Sequence, residues 1–135
     1  MKSGIGKSIV PVGGGFLAAA SLSIGMDELL HGAGIYPPKG QVMSNGLFVL
    51  ATTYRFLFQS LGGYLAAYAA PSKPMQHVWI LAGIGQFMSL LGILAWKALG
   101  DAGGPLWYPL ALVVTAVPSV WLGGWLHQRS TNVTA

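Results

Sequence analysis

Cysteine is absent from the chain and acids nearly so: Asp27, Glu28 and Asp101 are the three carboxylic side chains in 135 residues. Without cysteine there is no disulfide framework, no thiolate nucleophile and no cysteine-held metal, and the composition is silent on redox compartment. Charged residues of both signs make up 7% of the chain, against about a quarter in soluble domains. A water-soluble fold made from this chain has almost nothing to face outward. Seven lysines and arginines leave a formal charge of +4, but they stand singly near the ends of apolar runs. The basic face that nucleic acid requires is missing, so nucleic acid is not an expected partner. The apolar runs also lack period-two alternation and are far longer than a barrel strand of about ten residues, which excludes a membrane β-barrel.

What is present is apolar: 53% hydrophobic residues and a mean hydropathy of +0.60. Four segments, at 10–33, 45–69, 77–97 and 105–126, are each long enough for a hydrocarbon layer about 30 Å thick at about 1.5 Å per residue. The expected fold is all-α: an antiparallel four-helix transmembrane bundle forming one integral membrane domain, with the lipid bilayer as its surroundings. Pro11 suits a first helical turn, "HGAGIYPPKGQ" a stop, Ser44 or Asn45 a cap for the second helix, and "APSKP" and "GDAGGP" the later breaks. The N-terminal apolar stretch is too long for a cleavable signal and runs into acids, so it reads as a retained first span. Tyr64, Tyr68, Trp79, Trp121 and Trp125 form one aromatic belt and Tyr36, Trp96, Trp107 and Tyr108 the other. Lys2, Lys7, Lys73 and Arg129 on one side outnumber Lys39 and Lys97 on the other, which places both termini in the cytoplasm.

One charge is out of place. Arg55 lies about ten residues, or roughly 15 Å, inside the second segment, where an unpaired arginine costs about 2.5–3.5 kcal/mol on insertion scales. It belongs to a small, polar stripe of Thr52, Arg55, Gln59, Gly62 and Ala66. The first segment repeats the pattern with Gly14, Ala18, Ser21, Gly25 and Glu28. Two such stripes in consecutive helices are satisfied by facing each other, since small residues permit close packing and polar groups need partners away from lipid. Glu28 is on the stripe, so it is the expected partner of Arg55, with Asp27 turned sideways and Ser21, Thr52 and Gln59 adding hydrogen bonds. Ala82, Gln86 and Ser89 on the third helix, with Thr115, Ser119 and Pro118 on the fourth, extend this polar interior. "SLGGYL" and "WLGGWL" echo one another. Duplication of a hairpin explains this, and so does close helix packing at Gly62, Gly63, Gly123 and Gly124.

Other motifs carry less. "GIGKS" at 4–8 lacks the leading glycine and strand of a phosphate loop, and "VGGGF" at 12–16 lies within a span. His77 and His127 sit near the cytoplasmic surface and could meet at a haem or metal, while His31 follows Asp27 by four residues, a spacing open to a weak cation site. Ordinary interfacial or backbone-bonded histidines explain all three, and no metal or cofactor is expected. "NVT" at 132–134 matches a glycosylation acceptor, but on the cytoplasmic side. No nucleophile–base–acid set stands out, so catalysis is not expected.

The stretch "DELLHGAGIYPPKGQVMSNGLFVLATTYR" followed by "GGYLAAYAAPSKPMQH" resembles a group of small four-helix bacterial inner-membrane proteins with no assigned activity. The resemblance implies a bacterial cytoplasmic-membrane location and draws attention to Asp27–His31, the Tyr36–Pro38 loop and Arg55. Two functions fit these observations. One is a non-enzymatic subunit or helix-packing module of a membrane assembly, homo-oligomeric or docked on a larger partner, whose Arg–Glu cluster sets helix register. The other is a small proton- or ion-coupled transporter working as a homo-oligomer; a histidine-based redox protein is a third.

Overall fold

A computed structural model describes the backbone of residues 2–38, 41–100 and 104–134 and the side chains of 8–38, 41–100 and 104–131. The lysines at 2, 7 and 39, the acid at 101 and the 132–134 triplet lie outside the described side chains. Four helices follow one another: α1 (Lys2–Gly32), α2 (Asn45–Ala69), α3 (Pro74–Leu99) and α4 (Trp107–Thr134). Three of them, over Ser8–Gly32, Pro74–Leu99 and Trp107–Thr131, are long and apolar enough to cross a membrane. In α2 the polar residues around Arg55 dilute an otherwise similar length of apolar sequence.

The boundaries follow local chemistry. Ser44 caps α2 by accepting from the Leu47 N–H at 3.4 Å, and the Ala70 N–H closes the other end on the Ala66 carbonyl at 3.1 Å. At α3, Pro74 occupies the first turn, where it has no N–H to waste. Gly100 ends α3 at φ 61°, a left-handed conformation that disfavours a side chain. Two limits differ from the sequence reading by a full two turns, the others by three residues or fewer. α1 begins at Lys2 instead of residue 10, which puts the buried Pro11 inside the helix; spans tolerate this when neighbouring elements serve the freed carbonyl. α4 runs eight residues past 126 because no glycine or proline follows Gly124 to stop it.

α2 is the central element: it packs most extensively against α4 and α1, α4 also packs on α3, and α1 meets α3 only sparsely. The paired glycines make this possible. A Cβ on Gly62 would meet the Gly15 carbonyl of α1 at 2.7 Å, while one on Gly63 would strike the backbone of Val120 in α4. Gly123 lies against the Ser60 and Tyr64 backbone of α2, and Gly124 against Val78 of α3. Adjacent residues on a helix point about 100° apart, so each pair lets one helix touch two neighbours closely. Both halves of the "LGG" echo thus have a packing role.

The α1 face differs from the expected one by a single residue. Val12, Gly15, Ser23 and Leu30 are buried and Ala19 and Asp27 half-buried, whereas Gly14, Ser21, Gly25 and Glu28 are exposed. A Cβ on Gly14 or Gly25 would touch nothing within 4 Å. The row Gly15, Ala19, Ser23, Asp27 advances by four at each step and therefore runs obliquely across the helix, along the ridge used when helices cross close together. The alternating four-and-three spacing presumes a straighter seam. Pro118 of α4 is exposed too, and takes no part in the interior.

Outside the helix contacts the surface is apolar, with Leu17 and Leu94 each 63% exposed. A soluble monomer does not present such a surface on every helix, and it fits an integral membrane protein.

Candidate functional site

One core cluster joins Leu30, Tyr36, Ala51 and Tyr54, flanked by Met26, Phe58 and Tyr108. Within it lies the carboxylate that answers Arg55, and it belongs to Asp27. Arg55 Nη2 donates to Asp27 Oδ2 in a salt bridge, and the Tyr54 hydroxyl donates to Oδ1. Tyr54 has one proton to give, so at the 2.8 Å contact between the two phenols Tyr36 is the donor. The result is a directed chain, Tyr36 to Tyr54 to Asp27. Tyr108 of α4 adds a phenol interacting with the guanidinium. The ion-paired side chains are each 26% exposed, and the Arg55 Nε–H is buried with no partner.

This corrects the expected pairing. Glu28 is exposed, and the one-residue shift in the α1 face brings Asp27 to α2 in its place. The expected secondary donors also turn elsewhere. Ser21 is exposed, and Thr52 Oγ1 donates to its own helix at the Phe48 carbonyl, 2.9 Å away. Gln59 Oε1 accepts from Ser119 Oγ at 2.7 Å, tying α2 to α4, and Ser60 Oγ donates to the Ser119 carbonyl at 2.9 Å. Gln86 is half-buried, and its main-chain carbonyl accepts from Ser89 Oγ at 2.9 Å. Sequence reasoning missed Ser23, which is buried, and the tyrosines. Tyr36 and Tyr108 read as belt residues and Tyr54 falls outside the polar stripe, although an arginine flanked by a tyrosine in a span was an available signal.

Arg55 also walls a cavity of about 290 Å³. All four helices line it, most of all α1 and α3, which meet only sparsely. Ser23, Gln59 and Ser89 are its other polar lining residues; Phe16, Leu81 and Met88 are among the apolar ones. The volume is at the small end of the range for ligand pockets, about 300–1,000 Å³.

The histidines are placed apart from this site or serve the backbone. His31 Nδ1–H donates to the Asp27 main-chain carbonyl at 2.8 Å, and its ring packs edge-on to Tyr36. The Asp27 carboxylate faces Arg55, so the i, i+4 spacing of Asp27 and His31 does not build a cation site, and His31 bonds to the backbone in the ordinary way. His77 is buried between the Lys73 carbonyl and Ser8 Oγ, each 3.1 Å away. His127 stands edge-on to Tyr64 and Tyr68. Among the described residues no three histidine or carboxylate side chains gather with metal-binding geometry.

Replacing Tyr54 by phenylalanine removes the middle of the phenol chain. Tyr36 then loses its acceptor and Asp27 a donor, while the ring packing stays. The expected cost is about 1–3 kcal/mol, as for other interior groups left without a partner, measured by SDS titration of the purified protein in mild detergent.

No protein-family profile, curated protein or solved structure matches this chain.

Proposed function

We propose that this chain is a multi-pass protein of the bacterial inner membrane, an antiparallel four-helix bundle with both termini cytoplasmic. It performs no enzymatic chemistry; it binds a small solute or ion in its interior and carries it as a homo-oligomer. The observation behind this reading is the position of the Asp27–Arg55 pair. An ionic pair kept for register alone is best sealed, since each unused donor or acceptor in a low-dielectric interior is costly. Here the arginine borders a cavity and retains an unused N–H. Intramembrane ionisable groups in such positions mark solute or proton pathways. Four helices leave little room for a complete pathway, which favours a second copy.

A second reading, a helix-packing module of a membrane assembly, draws on Gly14, Ser21 and Gly25, which remain exposed on α1. Stability separates the two. The double variant Asp27→Leu/Arg55→Leu is expected to unfold at the same or a higher SDS fraction than the parent, because apolar replacement of a buried pair is neutral or stabilising by about 1–4 kcal/mol. A clear loss of stability in the double variant assigns the pair to helix register and overturns the solute-binding reading.

A further inference from the structure

We infer that the cavity beside Arg55 takes a small monocarboxylate with an apolar body, and that this anion replaces the Asp27 carboxylate on Arg55 while Asp27 takes up a proton. The inference rests on the solute-binding reading above and adds the substrate class and its coupling.

The guanidinium supplies the first argument. Its Nε–H and one of its Nη groups form a planar fork matched to the two oxygens of a carboxylate. In this site Asp27 engages Nη2, and Nε, the other tine of that fork, is buried and unused. Asp27 thus satisfies half of what a carboxylate can satisfy, because its second oxygen is held by Tyr54. A free carboxylate that displaces Asp27 has no such tie and can occupy both tines. Three other polar groups line the same space: the Ser23 and Ser89 hydroxyls and the amide of Gln59, whose oxygen is already taken by Ser119. Phe16, Leu81 and Met88 provide the apolar wall. At about 290 Å³ the space suits an aromatic or short aliphatic acid.

Charge supplies the second argument. Arginine stays protonated, and net charge within a membrane costs several kcal/mol. One arginine therefore favours one anion at a time. If the ligand anion arrives while Asp27 is ionised, the site carries a net negative charge. If Asp27 binds a proton at the same time, the site is neutral before and after. The balance is one carboxylate anion and one proton in, with no bond made or broken besides the Asp27 O–H. Asp27 is faced by Tyr54 and Arg55 of α2, by Tyr36 of the following loop, by Tyr108 of α4 and by His31 on its own helix. On α3 the titratable side chains His77 and Lys97 lie toward the helix ends, outside this cluster. The Tyr36–Tyr54 chain leads from the loop to Oδ1, a route for the proton that does not cross the cavity.

The test uses the full chain in nanodiscs with benzoate as probe, followed by calorimetric titration between pH 5.5 and 8 in buffers of different ionisation enthalpy. About one proton should be taken up per benzoate, and affinity should fall about tenfold per pH unit where Asp27 is ionised. Benzamide, which has the shape without the charge, should bind at least tenfold more weakly and without proton uptake. Asp27→Asn, which keeps the acceptor for Tyr54, should bind benzoate at least as tightly and lose the pH dependence. Arg55→Lys, which keeps the charge but not the fork, should weaken binding tenfold or more while remaining helical by circular dichroism. Absence of benzoate binding, binding without proton uptake, or pH dependence that survives in Asp27→Asn overturns the inference. If that happens while the double leucine variant stays stable, the carboxylate assignment fails and the solute-binding reading stands.

Discussion

Gly123→Leu is expected to abolish the native bundle, and Gly123→Ala to lower its stability by about 2–3 kcal/mol, the upper part of the usual range for over-packing. The reason is what surrounds the missing Cβ. It would fall on the main chain of Ser60 and Tyr64 in α2, and main chain cannot swing aside as a side chain can. To admit even a methyl group, α4 must move away from α2. That separation would also break the 2.9 Å hydrogen bond from Ser60 Oγ to the Ser119 carbonyl and the 2.7 Å bond from Ser119 Oγ to Gln59, which cross the same interface. Gly83 in α3 is the control: an added Cβ would meet nothing within 4 Å. Gly83→Leu should leave stability unchanged or raise it by up to about 1 kcal/mol through helix propensity. SDS titration monitored by tryptophan fluorescence reads both; equal effects at the two positions would show that the α2–α4 approach is looser than described.

Asp27→Leu alone should cost about 2–4 kcal/mol in the same assay. It leaves Arg55 without its counter-charge and Tyr54 without its acceptor. Removing one partner of a fully buried pair costs about 3–5 kcal/mol; the value expected here is smaller because each side chain retains 26% exposure. Glu28→Gln, by contrast, should change little, since Glu28 is exposed and lies off the face that meets α2. The pair of results discriminates between the two carboxylates: if Glu28→Gln is the damaging change, the α1 face is rotated by one residue from that described. With Arg55→Leu and the double leucine variant, Asp27→Leu completes a thermodynamic cycle in which the second substitution should recover most of the loss.

Much of the fold was legible because membrane helices are written in simple signals. Ser44 and "APSKP" bracket α2 at residues 45–69, the bounds the structure has, because a cap and a proline act through the nearest few residues. Where the signal is missing the reading failed: nothing after Gly124 stops α4, and Pro11 does not start α1. The glycine pairs in α2 and α4 were identifiable as close-packing sites, though not which neighbour each would meet. The need of Arg55 for a carboxylate from the first hairpin was also legible, since Asp27 and Glu28 were the acids within reach. Choosing between two adjacent residues was not. They differ by about 100° around the axis, and both extend plausible rows of small and polar side chains along α1.

The chain alone determined its surroundings and its division into helices, because hydrophobic length and turn chemistry are local properties that need no knowledge of neighbours. It also required that one intramembrane cation find an acid. The tertiary arrangement decided which acid answers, which tyrosines join it and where a cavity is left beside them. Those outcomes depend on how α1 is turned against α2 and on how loosely α1 meets α3, and rotation and spacing arise only when backbones meet.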